Sequence, residues 1–275
     1  MSQSVSPALR EDGDLCSALR SRRLSETHFA ADIPDGWGQG RGVFGGMVMG
    51  TLAQAMVEFV GDGERPLRAL SAELPGPTQA GAAELQLELL RRSGAVTTVV
   101  ARLVQAGEVQ AFATGVFGKT RITDRNWVEQ PPQPPPAESV AIVPPTSRQL
   151  PQFTSKFEYR SMTPGAVAGA SDSLAAGWVR PLAASRGIGP VELVAMIDTW
   201  WPTALARETT FRPMATLAFA VHLLAPAQPL PSERPLFYQA RALGGRDGFV
   251  SELRELWDEH GQLLAVNHQT FVYIK

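Results

Sequence analysis

The sequence predicts an α+β fold of two fused units, each an antiparallel sheet wrapped around one helix. Three observations lead there. The first is an internal repeat: slid by 154 positions against itself, the chain aligns Leu89 with Leu243, Arg92 with Arg246, Gly94 with Gly248 and Val96 with Val250, and then Gly107 with Gly261, Ala111 with Ala265 and Phe117 with Phe271. Seven ungapped identities between Leu89 and Phe117 exceed the roughly two that unrelated sequence gives at average residue usage. The second is that the repeated stretch reads as two apolar-rich runs joined by a Gly turn, which is a β-hairpin. The third is a run, FGGMVMGTLAQAMVEFV, that lacks Pro, is too long for one strand and is apolar or small on nearly every side, as a helix wrapped by other structure should be.

The elements follow in order. Residues 1–25 form a polar leader expected to pack loosely, and the first unit spans 26–120. A strand over Glu26–Ile33 leads through the Gly-rich loop Gly36–Gly42 to a helix from about Gly46 to Val60. Extended runs follow at Arg68–Leu74, Ala83–Arg91, Val96–Gln105 and Val109–Lys119, with Pro75, Gly81, Gly94 and Gly107 marking the turns. Residues 121–154 hold QPPQPPP and VPP, a proline density that disfavours helix and ladder and predicts an extended connector. The order then recurs over 155–275. Strands at Lys156–Met162 and Ala176–Pro181 precede a helix opened by Gly189, with Pro190 in its first turn and PVELVAMIDTWWPTAL along its length. Strands at Ala215–Leu224, Phe237–Leu243, Phe249–Asp258 and Leu263–Ile274 complete it.

Composition narrows the function. In 275 residues, 44% apolar, the net charge is −2 and no long basic run occurs, which argues against nucleic acid or an anionic membrane as partner. No basic segment followed by an apolar stretch opens the chain, and no window reaches the ~18 apolar residues of a membrane span, so a cytoplasmic protein is expected. One cysteine, Cys16, and four histidines leave no disulfide and no zinc-ligand cluster. Cys16 lies in the polar leader and is not read as a nucleophile.

Polar residues distinguish the second copy from the first. Asp198 falls in the middle of the second predicted helix, an apolar setting where an unpartnered carboxylate costs several kcal/mol. The first copy has the neutral Gln54 near that place. Thr216 stands ten residues before Pro226, where the first copy, counted back from Pro77, has Leu67. Gln269 aligns with Gly115. A carboxylate, a hydroxyl and an amide together suit general-base activation of one water, the carboxylate taking the proton while the other two orient the nucleophile. The alternative is that Asp198 bonds a neighbouring loop and the others satisfy backbone groups. Gly45 and Gly46 open the first helix, where small residues allow close approach and free N–H groups face a carbonyl or anion. His222 reads as structural, and His268 should face away from Gln269. Arg92 and Arg246 read as turn anchors, and Trp37 as a packing anchor or pocket lid.

VFGGMVMGTLAQAM (Val43–Met56), ATLAFAVHLLAP (Ala215–Pro226) and DGFVSELRELWDEHGQLLAVNHQ (Asp247–Gln269) resemble the double-hotdog acyl-CoA thioesterases of the acyl-CoA thioesterase II group. The resemblance runs from about Glu26 to Lys275. It implies a double hotdog, two fused sheets each wrapping a helix, that hydrolyses acyl-CoA to CoA and a carboxylic acid. It also implies Asp198, Thr216 and Gln269 as the catalytic group; Gly45 and Gly46, from their place at the helix start, and Trp200 and Trp201, from theirs beside Asp198, are read as the residues that meet the substrate. No metal or prosthetic cofactor is implied, and further association into a homo-oligomer is. Many single-hotdog relatives carry His before the paired glycines, where this chain has Phe44. Trp200 and Trp201, close behind Asp198, are expected to shorten or reshape an acyl pocket. Two rivals remain: a non-catalytic acyl-CoA or lipid-binding protein, and a hydratase or dehydratase, which would use a His that this chain lacks at the matching helical position.

Overall fold

In the computed structural model, residues 13–121, 125–144, 150–224, 226 and 228–274 are described. The first half contains α1 (Leu15–Ala18), β1 (Arg22–Arg23), β2 (His28–Ile33), β3 (Gly38–Gln39), β4 (Gly42–Val43), α2 (Gly45–Val60), β5 (Leu67–Glu73), β6 (Gly81–Arg92), β7 (Val96–Gln105) and β8 (Glu108–Gly118). The second contains β9 (Phe157–Ser161), β10 (Leu174–Pro181), α3 (Pro190–Met196), β11 (Met214–Leu223), β12 (Leu236–Arg246), β13 (Phe249–Trp257) and β14 (Leu263–Tyr273). All strands except the small β3–β4 hairpin join one antiparallel sheet of twelve, ordered β1-β2-β6-β7-β8-β5-β11-β14-β13-β12-β10-β9. Read outward from β5 and β11, both sides have the same order. The seam pairs Leu70 with Val221 and Ala72 with Phe219, so the halves share a ladder of backbone bonds.

The sheet curls around α2, which is buried without interruption from Gly46 to Met56 and stops where Gly61 adopts the left-handed conformation (φ 58°). α2 and α3 pack against each other through glycine. A Cβ on Gly46 would run into the Ala195 carbonyl, and one on Gly50 would lie 3.2 Å from Ala195 Cβ. No helix among the described residues is long and apolar enough to cross a membrane.

Three expectations are corrected. The leader is not loose where it is described: Leu15, Cys16 and Leu19 are fully buried, and Asp14 caps α1 while accepting hydrogen bonds from the Ser185 N–H (2.6 Å) and hydroxyl (2.9 Å). Short apolar residues spaced among polar ones hid this anchor. The second helix is shorter than predicted and ends at Met196, so Asp198 lies just past its end. Thr199 Oγ donates to the Met196 carbonyl (2.8 Å), and Pro202 disfavours helical backbone at Trp201, after which Thr203–Arg207 makes a 3-10 turn. Finally, the slide by 154 positions is one residue out of step over the first hairpin. Thr97, Val99, Ala101 and Leu103 are the inward positions of β7, and Val250, Glu252, Arg254 and Leu256 those of β13, an offset of 153. One extra residue in the β13–β14 turn restores 154 for β8 and β14.

The proline-rich connector, where described, is strapped outside the sheet and is extended except at two 3-10 turns, Ala137–Ser139 and Gln152–Lys156, the second of which runs past its end. Trp178 Nε1 donates to the Pro135 carbonyl (3.1 Å), and Arg160 donates to the carbonyls of Ala137 (3.0 Å) and Val140 (2.9 Å). Residues 122–124 and 145–149 of that segment lie outside the described residues.

Candidate active site

Strand alternation places the polar groups. Along β14, Asn267, Gln269 and Phe271 face inward while His268 faces out and shares a hydrogen bond with Ser251 Oγ (2.7 Å). His222 is also exposed. In β11 a bulge follows Thr216, whose register partner is Phe271; this irregularity aims the hydroxyl at the neighbouring Gln269. Thr216 Oγ1 donates to Gln269 Oε1 (3.2 Å), and Gln269 Nε2 donates to Asp198 Oδ1 (2.8 Å). Thr216, Gln269 and Asp198 thus form one chain of contacts, brought from two strands and a turn.

Two charged residues join it that sequence reading passed over. Arg254, 1% exposed, donates from Nη1 to Asp198 Oδ1 (3.0 Å) and from Nε to Glu252 Oε1 (2.8 Å). Glu252, fully buried, accepts from the Thr203 N–H (2.7 Å) and hydroxyl (2.6 Å) through its other oxygen. Strict alternation over Val250, Glu252, Arg254 and Leu256 was the available signal, since it puts both charges on the face of two apolar neighbours.

The Asp198 carboxyl titrates above the usual carboxylate range. Burial is the main cause, and Glu252 adds to it; Arg254, Gln269 and the Gly46 N–H favour the ionised form without overcoming burial, because the Arg254 charge is shared with Glu252. Burial, and to a lesser degree the neighbouring Asp198 carboxylate, pushes the Tyr159 hydroxyl up as well.

Asp198 meets the start of α2. A Cβ on Gly45 would lie 2.7 Å from Asp198 Oδ2, so glycine is needed for the carboxylate to approach this closely. First-turn N–H groups lack intrahelical acceptors, and the helix dipole favours negative charge beside them. The paired glycines therefore serve both readings, close packing through Gly46 and N–H groups facing an anion. Trp200 is buried, stacked on Tyr238 (5.0 Å, 8°) and edge-on to Tyr159 (5.3 Å), with Trp201 beside it at 5.2 Å. Trp37 is fully buried against Phe44 and Phe157, which makes it a packing anchor.

The first copy is apolar at the places that match Thr216, Glu252, Arg254 and Gln269. Leu67, paired with Phe117, stands where Thr216 pairs with Phe271. Val99, Ala101 and Gly115 take the positions of Glu252, Arg254 and Gln269. Met56 fills the space, its sulfur 2.6 Å from where a Gly115 Cβ would be.

Residues 128–273 match the family model of the acyl-CoA thioesterase C-terminal domain. The chain belongs to the acyl-CoA thioesterase family. Residues 33–118 match the model of the N-terminal domain of these acyl-CoA thioesterases. No curated protein matches the chain by sequence. Among solved structures it is similar to a conserved protein of unknown function with a hotdog fold from Alicyclobacillus acidocaldarius (22% identity, TM-score 0.83, covering 98% of this chain and 99% of that one). It is also similar to the acyl-CoA thioesterase II TesB2 of Mycobacterium marinum (18% identity, TM-score 0.72, 94% and 98%) and a tesB protein of Mycobacterium avium subs paratuberculosis (14%, 0.74, 96% and 99%). These likenesses establish the double-hotdog fold.

Proposed function

We propose that this thioesterase-family protein hydrolyses acyl-CoA to CoA and a free carboxylic acid, with Asp198 as general base. The carboxylate takes a proton from a water molecule as its oxygen attacks the thioester carbon. The carbonyl electrons move to oxygen, where the N–H groups opening α2 stabilise the developing charge. The oxyanion then collapses, the C–S bond breaks, and the CoA sulfur leaves with the proton held by Asp198. Gln269 orients the carboxylate and Thr216 orients Gln269. The scheme needs no metal or prosthetic group. The observation that supports it best is a buried carboxylate, bonded by Gln269 and Arg254 against the start of α2, in one copy only.

Release of free thiol from acyl-CoAs of graded chain length tests it. Wild type is expected to turn over at least part of the series, and Asp198→Asn to lose roughly 10²- to 10⁴-fold, the usual worth of a general base. Thr216→Ala should lose less, since the base stays in place. Binding of a non-hydrolysable analogue with no thiol release at any chain length would replace this reading with that of a binding protein.

A further inference from the structure

A hollow of about 660 Å³ lies away from Asp198, beneath the β12–β13 hairpin. Arg207, Arg241 and Arg246 line it together with Gly244, Gly245 and Phe249. None of the three guanidinium groups has a hydrogen-bond or ion-pair partner among the described residues. Three acids share the wall: Glu208 accepts from the Tyr273 hydroxyl (2.9 Å), which also lines the hollow, and faces Arg212 (3.9 Å), while Asp172 accepts from the Ser171 hydroxyl (3.0 Å). The third, Asp247, sits in the hairpin turn with a left-handed backbone (φ 55°).

The matching hairpin of the first copy is closed. There Arg65, 8% exposed, inserts beneath the turn and donates to the Ser93 carbonyl (2.9 Å), the Gly94 carbonyl (3.0 Å) and Thr97 Oγ1 (3.1 Å). Arg92 is bound to Asp62 (3.3 Å). Thr97 holds the register position of Val250, so the same space is plugged in one copy and open in the other.

The hollow also shares a row of the sheet with the catalytic group. Gly245 pairs with Val250, Val250 with Phe271, and Phe271 with Thr216. Three strand spacings of about 4.8 Å separate Gly245 from Thr216, roughly 14 Å. A pantetheine arm, extended at about 3.6 Å per three backbone-like bonds, covers roughly 15 Å from sulfur to the first phosphorus. We infer that this hollow seats the nucleotide end of a CoA thioester, with Arg241, Arg246 and Arg207 on its phosphates and Phe249 against the adenine. Arg forks suit phosphate, and an exposed aromatic face suits a base. The inference rests on the acyl-CoA reading above for its ligand.

Two measurements separate them. Titration of the full chain with adenosine 3′,5′-bisphosphate should show saturable binding, weakened about tenfold or more in Arg241→Ala/Arg246→Ala. In that double variant the KM for acyl-CoA should rise by at least the same factor while kcat, and turnover of the matching acyl-pantetheine, stay unchanged. Bisphosphate binding that is absent, or that is equal in wild type and variant, overturns the hollow as nucleotide seat. So does an equal loss on acyl-CoA and acyl-pantetheine, which would mean structural damage. If wild type binds the bisphosphate through these arginines but releases no thiol from any acyl-CoA, the hollow stands and the hydrolase reading falls.

Discussion

For a carboxylic acid just past a helix end and enclosed by packed side chains, the neutral form is favoured on folding, and this fixes two pH dependences of Asp198. A group whose folded pKa lies above its unfolded one, near 3.9 for Asp, adds stability below that value and loses the contribution as pH rises through the folded pKa. Asp198→Asn imitates the protonated acid, so its melting temperature should equal or exceed that of wild type at neutral pH, while the difference shrinks in acid. With Asp198 as the proposed base, activity runs the other way, because the base must be ionised. The acid limb of kcat/KM should fall above the ordinary carboxylate range, and thiol release measured across pH checks this. Gly45→Ala separates position from stability. Alanine suits a helix better by up to about 1 kcal/mol, yet its Cβ would displace Asp198 Oδ2 from 2.7 Å. Turnover should drop roughly 10- to 100-fold with the melting temperature held or raised.

Among the elements, β13 and the segment after α3 decide how the site is held. Glu252 and Arg254 share the inward face of β13, and the ion pair is tied to the 3-10 turn through Thr203. Arg254→Met leaves two buried carboxylates without their cation and should cost about 3–5 kcal/mol in denaturant unfolding, with Arg254→Met/Glu252→Gln recovering part of it. Sequence periodicity made β14 legible, so Gln269 and His268 were assigned to opposite faces correctly. It made β11 legible as well, and counting back from Pro226 and Pro77 matched Thr216 to Leu67 as the registers do. Arg254 and Glu252 were missed because a gap-free comparison placed them one residue off, against Val100 and Thr98, and a single residue reverses the face of every side chain in a strand. Asp198 was found for its chemistry and misplaced in its element: a continuous apolar stretch reads as one helix, whereas Thr199 and Pro202 end it early.

At the scale of the whole molecule, the sheet binds the two halves along β5 and β11, and the chain before β1 fastens the first half to the second. Leu19 is fully buried, and its side chain lies 2.7 Å from where a Gly50 Cβ would be, at the α2–α3 contact. Leu19→Ala should therefore cost roughly 2–5 kcal/mol, the range for a core leucine, although it lies in a segment that reads as a tail. Thermal unfolding of full chain and variant checks this, and a change under 1 kcal/mol would make the segment dispensable.

The apolar imprint of Leu67, Val99, Ala101, Gly115 and Met56 acquires a meaning from that joint architecture. Two identical subunits related by a true dyad would each need the buried charges and the glycine-capped helix, because every patch of such an assembly occurs twice. Covalent fusion lifts that obligation. On the mechanism proposed above, one half can specialise in presenting the amide groups of its helix, the other in supplying the base, and the vacated counterpart is free to be ordinary hydrophobic core. On that mechanism the chain gives up a second reaction centre and keeps a single one supported by an unusually plain partner, asymmetry serving as a division of labour between duplicated halves.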